Sequence, residues 1–132
     1  MDMMPKISES EWEIMKIIWR ENPITAEHIM GLLPKEYGWS DQTIRTFINR
    51  LLKKRVIGFE KTGRSYNYYP LLSEKECVWT ESQSFIKRVF GGRSNKLVAN
   101  FIEEVDLSQN EIEKLQKILQ EKQKKMDQTN NE

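Results

Sequence analysis

One short segment carries side chains suited to polar recognition. At about 100° per residue, Gln42, Thr43, Arg45, Thr46, Asn49, Arg50 and Lys53 fall on one side of a helix, and Ile44, Phe47, Ile48, Leu51 and Leu52 on the other. The polar side holds long donors and short hydroxyls and no carboxylate. A guanidinium such as Arg45 or Arg50 can fork onto guanine O6/N7 or clamp a phosphate. A glutamine pairs bidentately with adenine, and the methyls of Thr43 and Thr46 can pack on thymine methyls. Ser40, just ahead of the segment, can join backbone N–H groups around a phosphate. Other chemistries lack their parts. Cys77 and His28 are the sole cysteine and histidine, so neither an internal disulfide nor a zinc or copper site within one chain is expected. A nucleophile–histidine system would have to use His28, which reads as a surface residue of a short helix. There is no phosphate-binding loop and no GxGxxG. No cofactor and no enzymatic activity are expected.

The elements that must position this segment follow from capping and periodicity. Ser8 and Glu11 have capping-box spacing, and Trp12, Met15, Ile18 and Trp19 recur at helical steps, which predicts a helix from Ser8 to about Glu21 ended by Pro23. Thr25 opens a shorter helix with Ala26, Ile29, Met30 and Leu33 inward, and Pro34 stops it. A turn over Lys35–Trp39 leads to Ser40, the N-cap of a third helix from Asp41 to about Lys54. Val56–Lys61 and Tyr66–Leu71 flank Thr62-Gly63-Arg64-Ser65 and read as a β-hairpin. Of Tyr66, Tyr68 and Tyr69, at least one must be core, because alternate strand residues point to opposite faces. Three helices and a hairpin in this order predict a winged helix-turn-helix over residues 1–72, with Arg64 and Tyr66 on the wing placed for phosphate or minor-groove contact.

From Ser73 the pattern is helical. Val78, Trp79, Phe85, Ile86, Val89 and Phe90 form a stripe ending at Gly91-Gly92. Leu97, Val98, Phe101 and Ile102 follow on a helix over Ser94–Val105, then Ile112, Leu115, Ile118 and Leu119 on a helix capped by Ser108 and Glu111. These stripes have nowhere in a small winged helix to be buried. Residues 73–132 are therefore expected to form a helical dimerisation domain, with Trp79, Phe85, Phe90, Leu97, Phe101, Ile112, Leu115 and Leu119 at the interface and a polar tail fraying from about 122. The fold class is thus mainly α with a small β-wing.

Composition alone misleads here. The 132 residues carry 21 Lys+Arg and 20 Asp+Glu, a net charge of +1, which argues against a highly basic nucleic-acid protein. Position by position, residues 1–44 sum to −4 and residues 45–64 to +6, since Arg45, Arg50, Lys53, Lys54, Arg55, Lys61 and Arg64 face only Glu60. The basic run coincides with the third helix and the wing, as a phosphate-binding stripe requires. The longest stretch without charge, Ser65–Ser73, is nine residues, far short of a membrane span. The opening MDMMPKISES carries no apolar signal segment.

Three runs carry a family resemblance. Ile7-Ser8-Glu9-Ser10-Glu11-Trp12-Glu13-Ile14-Met15-Lys16-Ile17-Ile18-Trp19 resembles the first helix, and Thr43-Ile44-Arg45-Thr46-Phe47-Ile48-Asn49-Arg50-Leu51 the recognition helix, of the BlaI/MecI family of penicillinase and methicillin-resistance repressors. Leu97-Val98-Ala99-Asn100-Phe101 resembles the segment cut when such repressors are inactivated. The similarity spans about residues 7–121. It implies a cytoplasmic homodimer bound to palindromic operators of TACA/TGTA type, repressing β-lactamase or penicillin-binding-protein genes. It also implies a membrane-bound sensor-protease as the inactivating partner, cutting Asn100–Phe101. Phe101 also completes an apolar stripe and reads as core, so cleavage requires local unfolding. The related CopY repressors carry a C-terminal CxC…CxC site that this sequence lacks. Asp41 and Gln42 stand where several relatives have Pro and Lys, and Arg55 where many have Gly. If that position is left-handed, Arg55 carries roughly 1 kcal/mol of strain. Two other readings stay open at this level: a winged-helix regulator sensing a ligand directly, and a protein-interaction module that does not bind DNA.

Overall fold

The computed structural model describes residues 4–130. It comprises α1 (Glu9–Arg20), α2 (Ala26–Leu32), a short 3-10 turn (Lys35–Tyr37), α3 (Asp41–Lys53), β1 (Ile57–Thr62), β2 (Ser65–Pro70), α4 (Glu74–Phe90), α5 (Ser94–Glu104) and α6 (Gln109–Asn130). The chain divides into two compact units, Met1–Phe85 and Ile86–Glu132.

The first unit is built around α1, which packs against α2, α3 and β2. The Ser8 hydroxyl accepts from Glu11 N–H at 3.2 Å while the Ser8 N–H donates to Glu11 Oε1 at 2.8 Å, closing the capping box that the spacing predicts. Ile14, Met15 and Ile18 of α1, Ile29 of α2, Ile44, Ile48 and Leu51 of α3, and Val56 and Ile57 form one core. β1 and β2 pair antiparallel from Ile57↔Pro70 to Thr62↔Ser65, and Gly63 (φ 63°) supplies the positive φ that a two-residue turn needs. Ile24 adds a bridge on the other edge of β2: its N–H donates to Tyr68 O at 3.0 Å, and Tyr68 N–H donates to Ile24 O at 2.7 Å. This bridge fixes the start of α2 against the wing. Of the three tyrosines, Tyr68 is the one in the core and Tyr66 is exposed.

The end of α3 explains the residue at 55. Arg55 N–H donates to Leu52 O and Val56 N–H to Leu51 O, the paired bonds of a Schellman ending, with Val56 and Leu51 both fully buried. That ending needs a left-handed residue between them, and Arg55 occupies it at φ 61°.

In the second unit, Ser108 and Glu111 form a reciprocal capping box that opens α6. α6 stays helical through the polar segment after residue 122, where composition led to an expectation of fraying. It contains no Gly or Pro there, and an i,i+4 bond from Gln123 to Asp127 supports its polar surface. Among the described residues no helix is long and apolar enough to cross a membrane, and no cluster of His, Cys, Asp or Glu is placed to hold a metal.

Candidate nucleic-acid interface

Ser40 has extended backbone and caps α3: its hydroxyl accepts from Thr43 N–H at 3.1 Å and lies 3.0 Å from the Thr43 hydroxyl. On the helix that follows, Gln42, Arg45, Asn49, Arg50 and Lys53 are exposed, and Thr43 and Thr46 are half-buried. Thr46 Oγ1 donates to Gln42 O at 3.0 Å. Its hydroxyl proton is committed to the backbone, which leaves the methyl and an oxygen lone pair for a base edge. The helix is held from its N-terminal side by a run of ring contacts, Tyr37 tilted against Trp39 at 4.7 Å and Trp39 edge-on to Phe47 at 5.2 Å between ring centroids. Tyr37 in turn donates from its hydroxyl to Glu13 of α1 at 3.1 Å.

The wing adds Arg64, exposed at the turn, and an aromatic–cation group. Phe59 meets Tyr66 edge-on at 5.1 Å, and Lys61 Nζ lies 5.7 Å from the Tyr66 ring. Phe59, Lys61, Tyr66 and Tyr68 share one face of the hairpin, as the register Phe59↔Tyr68 and Lys61↔Tyr66 requires.

Two cations of the basic run have partners that sequence reasoning missed. Lys54 Nζ donates to Glu11 Oε1 at 2.6 Å and to Lys6 O at 2.8 Å, which ties the C-terminus of α3 to the start of α1. Burial pushes the Glu11 carboxyl up. The bond from Lys54 and the Ser8 cap outweigh this and hold it below its ordinary value. Lys54 is thus a structural cation and leaves the phosphate-binding count. Arg45 Nη2 donates to Glu27 Oε1 of α2 at 2.9 Å. The Glu27 carboxyl is held below its ordinary range by its own backbone N–H and by Arg45. No local signal links residues 18 or 43 positions apart, so neither pair could be read from spacing.

In the C-terminal helices, Asn100 and Phe101 lie inside α5. Phe101 is 58% exposed within the chain, so it is not core there, contrary to the reading of its stripe. The stripe projects outward because Val98, Phe101 and Ile102 are all open to solvent in a single chain. Trp79 (62%), Leu119 (59%) and Phe85 are also exposed, while Phe90, Leu97, Ile112 and Leu115 are half-buried.

Comparison with known proteins agrees with this geometry. Residues 7–121 match the family described as penicillinase repressor. The methicillin resistance regulatory protein MecI of Mammaliicoccus sciuri is 43% identical over 117 residues, covering 89% of this chain and 95% of that protein. The penicillinase repressor of Bacillus licheniformis is 38% identical over 121 residues, covering 92% of this chain and 94% of that protein. Among solved structures, the DNA-binding domain of the repressor BlaI superposes with a TM-score of 0.51 at 37% identity, covering 58% of this chain and 93% of that domain. With a winged helix, a reading face free of carboxylates along α3 and a match over nearly its whole length, the chain belongs to the penicillinase repressor family of DNA-binding transcriptional repressors, and it is not an enzyme.

Proposed function

We propose that this chain represses β-lactamase or penicillin-binding-protein genes as a homodimer bound to a palindromic operator of TACA/TGTA type. The observation that carries the reading is the exposed face of α3, where Gln42, Arg45, Asn49, Arg50 and Lys53 stand open behind the Ser40 cap. Ser40, Thr43, Arg64 and Tyr66 border it, and Thr46 lies within it. Arg45 and Gln42 read base edges. Arg50, Lys53 and Arg64 hold phosphates, and the Thr43 and Thr46 methyls meet thymine.

In this reading a two-fold dimer sets two α3 helices about 34 Å apart, one turn of B-DNA, which makes the operator palindromic. The exposed side chains Trp79, Phe85, Phe101 and Leu119, with Phe90, Leu97, Ile112 and Leu115, supply the apolar surface for the partner copy. Induction follows when a membrane-bound sensor-protease, acting from the cytoplasmic side, cuts Asn100–Phe101. The cut splits α5 and separates α6 from the reading unit. Asn100 and Phe101 lie inside α5, so local opening of that helix exposes the bond. Footprinting of the purified chain on DNA containing TACA/TGTA palindromes tests the proposal. Protection of two half-sites one helical turn apart is the expected result. Protection of a single site, or none, would refute it.

A further inference from the structure

A carboxylate beside a DNA-reading surface repels phosphate, so Glu27 needs an explanation. It stands at the second residue of α2, with its side chain 72% exposed, and its oxygen accepts from Arg45 Nη2 at 2.9 Å. An exposed ion pair of this kind adds little to stability. Its placement is nevertheless tightly determined. The double bridge between Ile24 and Tyr68 fixes the residue before the Thr25 cap, and Thr25 accepts from His28 N–H at 3.2 Å, so the first turn of α2 cannot drift. The α2–α3 packing then sets the distance from that turn to Arg45.

From this arrangement we infer that Glu27 is a positioning residue that aims the Arg45 guanidinium at a base edge and keeps it off the phosphate backbone. An unrestrained arginine on a recognition helix has two competing uses: a phosphate, present at every sequence, or a guanine edge, present only at the right one. A carboxylate on one terminal nitrogen fixes the plane of the guanidinium and leaves its other N–H groups for a two-point contact. The same negative charge raises the cost of swinging Arg45 toward a phosphate. Glu27 therefore lowers affinity for arbitrary DNA and raises discrimination. The side chains involved are exposed, so their removal leaves the core untouched.

This inference rests on the reading of Arg45 as a base contact, and the test separates the two. Wild type, Glu27→Gln, Arg45→Ala and the double variant are titrated, as full chains, against a TACA/TGTA palindrome and a scrambled duplex of equal length and composition. The titrations are repeated over a range of salt. In Glu27→Gln, affinity for scrambled DNA rises about two- to threefold, and the operator-to-scrambled ratio falls about tenfold, within the range one two-point base contact supplies. The salt slope on the operator steepens by about one, as the released guanidinium takes a phosphate. In the Arg45→Ala background the same change leaves the ratio unaltered. A ratio that stays constant or rises in Glu27→Gln, or a fall that persists without Arg45, overturns the inference while the interface stands. An Arg45→Ala chain with undiminished operator affinity overturns the base-contact reading and the inference together.

Discussion

The pair formed by Glu11 and Lys54 makes a prediction whose size and pH dependence can both be worked out. Glu11 is fully buried, one of its oxygens (Oε2) accepts no bond from the chain, and the other is held by Lys54 at 2.6 Å and the Ser8 N–H. Replacing Lys54 with Met keeps the methylene packing and removes the charge. The carboxylate must then stay ionised and buried, or take up a proton. Protonation at pH 7 sets a ceiling of about 3.4 kcal/mol, from about 1.36 kcal/mol per pH unit above the reference value of 4.5. Lys54→Met is therefore expected to cost about 3 kcal/mol at pH 7, in line with other broken buried pairs.

The pH dependence then changes sign. In the wild type the Glu11 carboxyl lies below its ordinary value, so its contribution is present above that value and is lost as pH falls through the lower folded one. In Lys54→Met the folded value lies above the unfolded one. Between the two the folded state holds the extra proton, and stability rises as pH falls. The deficit relative to wild type shrinks toward pH 5 by up to about 1.36 kcal/mol per pH unit. Glu11→Gln leaves Lys54 free to rehydrate, since its side chain is already 32% exposed. That change costs about 1–2 kcal/mol and is flat between pH 5 and 7. Urea unfolding followed by tryptophan fluorescence, at fixed protein concentration and several pH values, measures all three chains. A Lys54→Met deficit below about 1 kcal/mol at pH 7, or one that does not shrink toward pH 5, would refute the reasoning.

Three further outcomes follow from local geometry. Arg55→Gly relieves a left-handed residue at φ 61° and is expected to stabilise the first unit by about 1 kcal/mol, raising its melting midpoint by about 4–8 °C; an unchanged or lower midpoint would show that the position carries no strain. Ser40→Ala removes the cap of α3 and costs about 1 kcal/mol, whereas Ser40→Asp keeps the cap within about 0.5 kcal/mol and sets a carboxylate against phosphate. Thermal melts and operator titration together should therefore find Ser40→Asp folded and weakly bound, and tight operator binding by it would remove Ser40 from the interface. A chain of residues 1–100 should keep the far-ultraviolet spectrum of a folded winged helix yet bind a palindrome with little advantage over a single half-site. Two-site binding as tight as that of the intact chain would detach repression from the C-terminal helices.

Much of this architecture was legible because its signals are local. Ser8 with Glu11 and Ser108 with Glu111 announce helix starts at three-residue spacing, Ser40 marks another as an N-cap, and each is met by the bonds it implies. The two faces of α3 follow from periodicity alone, and Gly63 marks the hairpin turn. Partners distant in sequence were not legible. Lys54 reads as one more cation of a basic run until α1 places Glu11 beneath it. Glu27 reads as an ordinary first-turn acid until α2 and α3 are packed. Phe101 completes an apolar stripe, and periodicity carries no information about whether a stripe turns toward its own chain. The segment after residue 122 lacks an apolar signal, and its helix rests on backbone geometry and short-range pairs.

The contacts that close the first unit also set a schedule during synthesis. Glu11 waits for Lys54, Ile24 for Tyr68, and the Trp19 indole N–H for the Leu72 carbonyl, which it reaches at 2.9 Å. The Glu11–Lys54 contact needs only the end of α3, whereas the other two wait for the hairpin and the residues just after it. These closures, and the buried Cys77 that joins the same core, all lie ahead of the segment from 86 to 132. A growing chain therefore has every residue of its reading head before its last helix is complete. Under the proposed cut after Asn100, the released fragment would hold the same residues as a chain still being made, so a repressor would leave service in a form it passed through during synthesis.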